Sequence, residues 1–422
     1  MKILRGGRTT LIIGILISTV LIIYLIPHKI RNCPSDVSRS IITTNNQIKS
    51  IREIVDCYDK PLKFSIKQYE KYWVFKNFVQ AARRYKCDKS VTFTTIGDYL
   101  HADNLIVIVE RWKGPVSVAF HASGEDFFAT LRAIAYLRNC HSLAFKEFVT
   151  FHIVVDSDHI PKNIPLYNIY ADQFNCSEAA PYENVSRTNL YKTKHNITYP
   201  INILRNIARE SAQTHFVLAA DIELYPSLNV IPNFLKLVTK KKDLFNSNSR
   251  SVFVLPPFEV PLNETVPIDK KSLVRMYNNK KAIMFHKFTC SPCHKIPKLE
   301  EWLKLDVKEG LNLFTVTKRT FQYSLWEPFY IGTNDDPLFE ERIHWENGRD
   351  KLDQNYMQCL LDYDYWILDN AFLVHRPGIK TFSEAHPDTR HKPTVYNSQR
   401  LRTGYNAIYG ERKGCLSKVV FI

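Results

Sequence analysis

Thr214-His215-Phe216-Val217-Leu218-Ala219-Ala220-Asp221-Ile222-Glu223-Leu224-Tyr225-Pro226-Ser227 is the stretch from which the fold follows. Its apolar run, with β-branched and aromatic neighbours, predicts a buried strand that ends in two acids one residue apart and is stopped by Pro226. Asp221 and Glu223 are thereby placed at a strand's carboxyl end. In an open α/β sheet ligands collect at that edge, and two hard oxygen donors there suit Mn²⁺ or Mg²⁺ carrying a diphosphate. The spacing alone does not discriminate. Asp156-Ser157-Asp158, after the run Phe148 to Val155, and Asp362-Tyr363-Asp364 share it, and a solvated turn accounts for such pairs as well.

Outward from this stretch, Tyr199 to Arg209 predicts a helix with Pro200 in its first turn and Ile201, Leu204, Ile207 and Ala208 facing a sheet. Arg205 and Asn206 then lie toward the nucleotide edge or in solvent, and Arg205 is the residue expected at a phosphate, a surface salt bridge being its other reading. Further upstream, Val91–Thr95, Val116–Phe120 and Phe148–Asp156 read as strands, with a crossover helix over Glu125–Arg138. Downstream, Leu228–Val238 predicts a helix and Ser251–Val260 another strand. The β-α-β order predicts an α/β fold with a mostly parallel central sheet and helices packed on it.

Residues 9–26 form the one long apolar run, bounded by Pro27. At 1.5 Å per residue they reach about 27 Å, enough for a thin bilayer, and no small-residue cleavage site follows, so the run predicts an uncleaved signal anchor rather than a signal peptide. Lys2, Arg5 and Arg8 outnumber Lys29 and Arg31 across it, which puts residues 1–8 in the cytosol and the bulk of the chain in the lumen. Residues 27–88 are polar and lysine-rich, amphipathic around Tyr69–Ala82, and read as a stem carrying a helix, which leaves 89–422 as the folded domain. Sequons at Asn175, Asn184, Asn196 and Asn263 are compatible with a lumenal address. Nine cysteines would pair there with one left over, and Cys33, beside the membrane, is the residue placed to link two copies through the stem. A net charge of +15 would attract nucleic acid, but the lumen argues against that partner and leaves an anionic sugar donor, an acidic glycan, or simply a basic surface.

Cys290-Ser291-Pro292-Cys293-His294 resembles half a zinc site, yet no second pair follows at a matching distance, and a disulfide is the better expectation. From Leu325 on, Trp326-Glu327-Pro328-Phe329-Tyr330-Ile331 and Pro337-Leu338-Phe339-Glu340-Glu341-Arg342 combine aromatics and acids, the residue types that bind sugars. Trp366 to Gly378 repeats the opening pattern, an apolar strand ending in a metal-capable side chain, here His375, before a turn. His375 is the expected third metal ligand, although a lone histidine is commonly structural.

Glu110-Arg111-Trp112-Lys113-Gly114-Pro115-Val116-Ser117, the Tyr199–Ala208 helix, Asp221-Ile222-Glu223-Leu224-Tyr225-Pro226-Ser227, Glu327-Pro328-Phe329-Tyr330 and Phe372-Leu373-Val374-His375, in this order, resemble glycosyltransferase family 49, the beta-1,4-glucuronyltransferase group. The same blocks are similar to the second catalytic domain of the bifunctional xylosyl- and glucuronyltransferase that extends matriglycan. The resemblance covers Lys89 to Lys380 and implies a single-pass type II Golgi protein of the GT-A kind, using Mn²⁺ and a UDP-sugar with inversion. It carries the metal motif onto Asp221 and Glu223 and the distal ligand onto His375; the second acid is Glu here where many relatives have Asp. It implies UDP-glucuronic acid as donor and a glycan on a glycoprotein or proteoglycan as acceptor. UDP-xylose and UDP-N-acetylglucosamine need the same diphosphate site, and an inactive glycan-binding protein or a lumenal hydrolase are the rival classes. For the base that takes the acceptor's proton, the family's acidic pair falls on Glu340 and Glu341, with Asp335, Asp336 and Asp353 next in line.

Overall fold

The computed structural model describes residues 50–164, 174–245, 249–345, 350–379 and 394–415. Lys49–Ile422 forms one compact unit. No helix among the described residues is long and apolar enough to cross a membrane; the expected anchor at 9–26, the tail before it and Cys33 lie outside them.

Two sheets organise this unit. Ten strands make up the larger: β1 (Ser65–Tyr69), β2 (Tyr72–Val79), β3 (Val91–Gly97), β4 (Val116–His121), β5 (Val149–Asp156), β6 (Phe216–Ala219), β8 (Ser251–Val254), β11 (Asn312–Thr317), β12 (Tyr330–Thr333) and β13 (Asp364–Asp369). They lie in the order β1-β2-β5-β4-β3-β6-β12-β8-β13-β11. The smaller sheet is built from β7 (Leu224–Pro226), β9 (Pro257–Glu259), β10 (Ile283–Met284) and β14 (Leu373–His375), in the order β10-β9-β14-β7.

Strands β5, β4, β3 and β6 are mutually parallel. Every residue of β3, β4 and β5 is buried, as expected of strands covered on both faces. Alternate side chains go to opposite sides. Val118 and Phe120 join Phe127, Leu131 and Ile134 of the Asp126–Cys140 helix, whereas Ala119 and Val154 meet Ile201, Leu204, Ile207 and Ala208 of the Ile201–Glu210 helix. The periodicity read from the sequence therefore holds for these elements.

The expectation of a mostly parallel sheet needs correction: the sheet is mixed. β12 lies between β6 and β8 and runs antiparallel to both, because the chain leaves for the smaller sheet and returns late to fill that slot. On the other flank β2 is antiparallel to β5, and β1 pairs with β2 as a hairpin. This corrects a second expectation. The Tyr69–Ala82 pattern predicts a stem helix, but Tyr72–Val79 is a strand of the main sheet. Aromatics at 72, 75 and 78 mimic a helical stripe; pairing with β5 outweighs that local pattern, and both faces of β2 are covered. Ser251–Val260, expected as one strand, is likewise two, β8 in the larger sheet and β9 in the smaller.

Disulfides Cys57–Cys87, Cys140–Cys176, Cys290–Cys293 and Cys359–Cys415 close the structure. Cys290 and Cys293 thus form the disulfide preferred over zinc. The four sequon asparagines are all exposed.

Candidate functional site

The site lies where the chain passes from the larger sheet to the smaller. β6 ends at Ala219, and Asp221-Ile222-Glu223 form the link to β7, closed by a bond from the Leu224 N–H to the Asp221 carbonyl (2.9 Å). Ile222 is 5% exposed. It plugs into the core beside Gly97, where a Cβ would come to 3.3 Å from the Ile222 Cδ1. Burial of the middle residue turns its acidic neighbours outward, which is the physical reason for the acid-x-acid spacing. The acids sit in this link rather than within the strand.

The same crossing occurs between β13 and β14, with Asn370 at φ 66° in the turn. β14 runs antiparallel to β7 and sets His375 opposite Leu224, so its ring reaches the neighbouring Glu223. His375 Nε2 is 3.5 Å from Glu223 Oε2, and its Nδ1 is 2.7 Å from the Arg376 carbonyl. A carbonyl only accepts, so Nδ1 carries the hydrogen and Nε2 is the ring atom turned toward the carboxylate. Phe285 stacks on the ring at 5.5 Å between centroids. A parallel sheet edge is not what brings His375 to Glu223; the antiparallel pairing of β14 with β7 does.

Asp221 faces the other way. Its carboxylate is 2.8 Å from Arg205 Nη2 and 3.1 Å from Lys351 Nζ. Burial favours the neutral acid, but the charges of Lys351 and Arg205 prevail and hold Asp221 well below the usual carboxylate range. Arg205 also pairs with Asp350, so the guanidinium expected at a phosphate is shared between two carboxylates. Among the described residues, the ligand atoms of Asp221, Glu223 and His375 do not all come within 4.8 Å of one another. One trio does, Asp59, Cys87 and Asp88, but Cys87 is in a disulfide and both acids pair with Arg52, so it is a structural clasp. The competing acid pairs are structural too. Asp156 Oδ1 accepts from the Asp158 N–H within its own turn, and Asp362 and Asp364 pair with Lys318 at the surface.

The helix Ile201–Glu210 supports the site from beneath. Asn202, Arg205, Asn206 and Arg209 recur at helical spacing and are buried. Asn202 donates to the carbonyls of Glu340 and Asp350, both at 2.8 Å. Asn206 exchanges bonds with the Phe339 backbone, and Arg209 donates to the carbonyls of Thr333, Asp336 and Pro337. This polar face fixes the segment 333–345 and the Asp350-Lys351 pair. The periodicity of those four polar residues was the signal in the sequence; Lys351 and Asp350 left none.

Glu340 and Glu341, the residues expected to act as base, are both engaged. Glu340 accepts two bonds from the Arg342 guanidinium and one from the Tyr405 hydroxyl. Those partners outweigh burial and lower its pKa. Glu341 accepts from Asn206 Nδ2 (2.7 Å) and from the Tyr69 hydroxyl. Asp336 accepts from the Thr333 N–H and the Tyr363 hydroxyl, Asp353 lies buried beside Arg402, and Asp335 is exposed. Glu327 differs. It is 8% exposed, and burial pushes its carboxyl up to about 7 against the pull of Lys351.

Residues 90–410 match the family model described as "Glycosyl-transferase for dystroglycan". The chain is 31% identical over 307 residues to beta-1,4-glucuronyltransferase 1 of Danio rerio, covering 70% of this chain and 67% of that protein. It is 21% identical over 363 residues to the human xylosyl- and glucuronyltransferase LARGE1, covering 85% of this chain and 40% of that one. Among solved structures, GalNAc-T7 with UDP, GalNAc and Mn²⁺ aligns with a TM-score of 0.38 at 8% identity, over 80% of this chain and 58% of that one. By the family match, which spans most of the sequence, the chain belongs to the glycosyltransferase family described as "Glycosyl-transferase for dystroglycan".

Proposed function

We propose that this glycosyltransferase moves glucuronic acid from UDP-glucuronic acid to a glycan on a glycoprotein or proteoglycan, with inversion, in the lumen of the Golgi. The names of its relatives support the donor, and the exposed sequons and four disulfides support the compartment. The observation that carries the reading is the Glu223–His375 pair at the end of the link that begins with Asp221. An imidazole whose Nδ1 is fixed by a carbonyl, facing a carboxylate, is a donor set that fits Mn²⁺, and Mg²⁺ by its oxygen ligands. Glu223 and His375 would hold the ion and Asp221 would join them by turning from Arg205 and Lys351; when bound, the ion would offset the charge building on the UDP leaving group. Lys351 and Arg205 supply the fixed positive field of a GT-A-like diphosphate edge and keep Asp221 ionised.

The test is UDP release by the purified full chain with Mn²⁺, screening UDP-glucuronic acid, UDP-xylose and UDP-N-acetylglucosamine with and without p-nitrophenyl glycosides as acceptors. Release with UDP-glucuronic acid only when an acceptor is present is the expected result. Acceptor-independent release would mark a hydrolase, and preference for another donor would overturn the glucuronyl assignment.

A further inference from the structure

Glu327 is a buried carboxylate set in a rigid frame, and no donor reaches it among the described residues. Its N–H donates to the Cys293 carbonyl (2.7 Å), and its own carbonyl accepts from His294 Nδ1 (3.0 Å). Both backbone groups are thus held by the single turn that the Cys290–Cys293 disulfide closes. Pro328 follows and fixes the entry to β12. His294 is itself buried and stacked on Phe329 at 5.5 Å.

The side chain is not held in this way. Among the described residues the Glu327 carboxylate makes no hydrogen bond, whereas Asp221, Asp336, Glu340, Glu341 and Asp350 all accept from named donors, and Asp353, which also lacks a hydrogen bond, is ion-paired with Arg402 at 3.8 Å. A buried carboxylate without a partner is costly and calls for an explanation. The charges that act on it are those of Lys351, Asp350, Arg319 and Arg205. Lys351 also binds Asp221 and lies 5.2 Å over the Phe329 ring, two residues from Glu327, so the charge of one lysine acts on both Glu327 and Asp221.

We infer that Glu327, held by the Cys290–Cys293 turn, is the catalytic residue that accepts the proton of the acceptor hydroxyl. The inference rests on the transfer reaction proposed above. The acceptor oxygen forms its bond to the sugar's anomeric carbon as the bond from that carbon to the diphosphate oxygen breaks. The electron pair leaves with UDP, and the hydroxyl proton passes to a Glu327 carboxylate oxygen. Burial places the carboxyl's proton affinity near neutrality, where a general base is most effective. With no donor among the described residues, its lone pairs are open to an acceptor hydroxyl.

The experiment compares wild type with Glu327→Gln and Glu327→Asp in the full chain. It measures acceptor-dependent UDP release from UDP-glucuronic acid, calorimetric UDP binding with Mn²⁺, and UDP release driven by azide, an anionic nucleophile with no proton to remove. Glu327→Gln should slow turnover of the hydroxyl acceptor by about 100-fold or more, with UDP binding within about threefold and azide-driven release retained. Glu327→Asp, which keeps the carboxylate, should fall between the two and guards against a Gln variant that does not fold. A Gln variant with near-normal turnover, or loss of azide-driven release in step with hydroxyl transfer, would overturn the assignment. A wild-type chain that releases UDP from no donor would refute the transfer reading itself, and is recognised before any variant is made.

Discussion

His375 lies 3.5 Å from Glu223 although 152 positions separate them in the chain (375 − 223), because β14 pairs with β7 in a register that sets His375 opposite Leu224. Neither side chain needs to move far to share a cation, and the bond from Nδ1 to the Arg376 carbonyl orients the ring. His375→Ala and Asp221→Asn should each weaken Mn²⁺-dependent UDP binding by about tenfold or more, read by calorimetry with and without the metal. Asp156→Asn serves as the control, since Asp156 caps its own turn, and should leave binding unchanged.

Arg205 joins Asp221 to Asp350 while 6% exposed. Arg205→Ala leaves two carboxylates without their shared partner and should destabilise the protein by about 3–5 kcal/mol in urea unfolding. Arg205→Lys should recover little, because one ammonium cannot reproduce a planar fork that serves two carboxylates at once. A loss below about 1 kcal/mol for the alanine variant would show that Lys351 alone balances the pair.

The Cys57–Cys87 disulfide ties the segment before β1 to the start of β3 across 30 residues. The Asp59 carboxylate reinforces it by accepting from the Cys87 N–H (2.9 Å) and from Arg52. Replacing both cysteines by serine should cost about 2–4 kcal/mol, seen as a lower Tm, with UDP binding unaffected in the folded protein.

Glu327 makes stability depend on pH in a defined sense. Its folded carboxyl is raised from 4.5 to about 7 by burial, so folding favours the protonated acid. Its contribution is fully present below about 4.5 and is lost as pH rises through about 7, a difference of roughly 3 kcal/mol. Glu327→Gln removes that loss. Thermal melts should show the variant more stable than wild type at pH 8 and nearly equal to it at pH 5. An equal or lower Tm at pH 8 would mean that the carboxylate finds a partner when ionised.

Glu340→Gln should leave turnover within about threefold of wild type while lowering Tm, because the Glu340 carboxylate is tied to Arg342 and Tyr405. Turnover slowed about 100-fold with UDP binding intact would return the base to Glu340.

What neighbours along the chain encode was legible before any fold was known. Apolar runs specified the parallel strands β3, β4, β5 and β6, and a 3.6-residue period specified the Ile201–Glu210 helix. Asp221, Glu223 and His375 stood out because each follows an apolar run at a turn. Contacts between distant segments set the rest. Tyr72–Val79 became a strand because β5 offered an open edge, overriding its helix-like spacing. Glu341 is held by Tyr69, 272 positions distant, and Glu340 by Tyr405, 65 positions distant, so the acids that looked available are occupied. Lys351 meets Asp221 only through the folded segment that Asn202 fastens at Asp350. Glu327, within an aromatic run that reads as sugar-binding, has neither a hydrogen-bond donor nor an ion-pair partner for its carboxylate among the described residues, whereas Asp353, equally without a hydrogen bond, sits against Arg402. Local pattern reports which residues can ionise or pack; the fold determines which of them already have a partner.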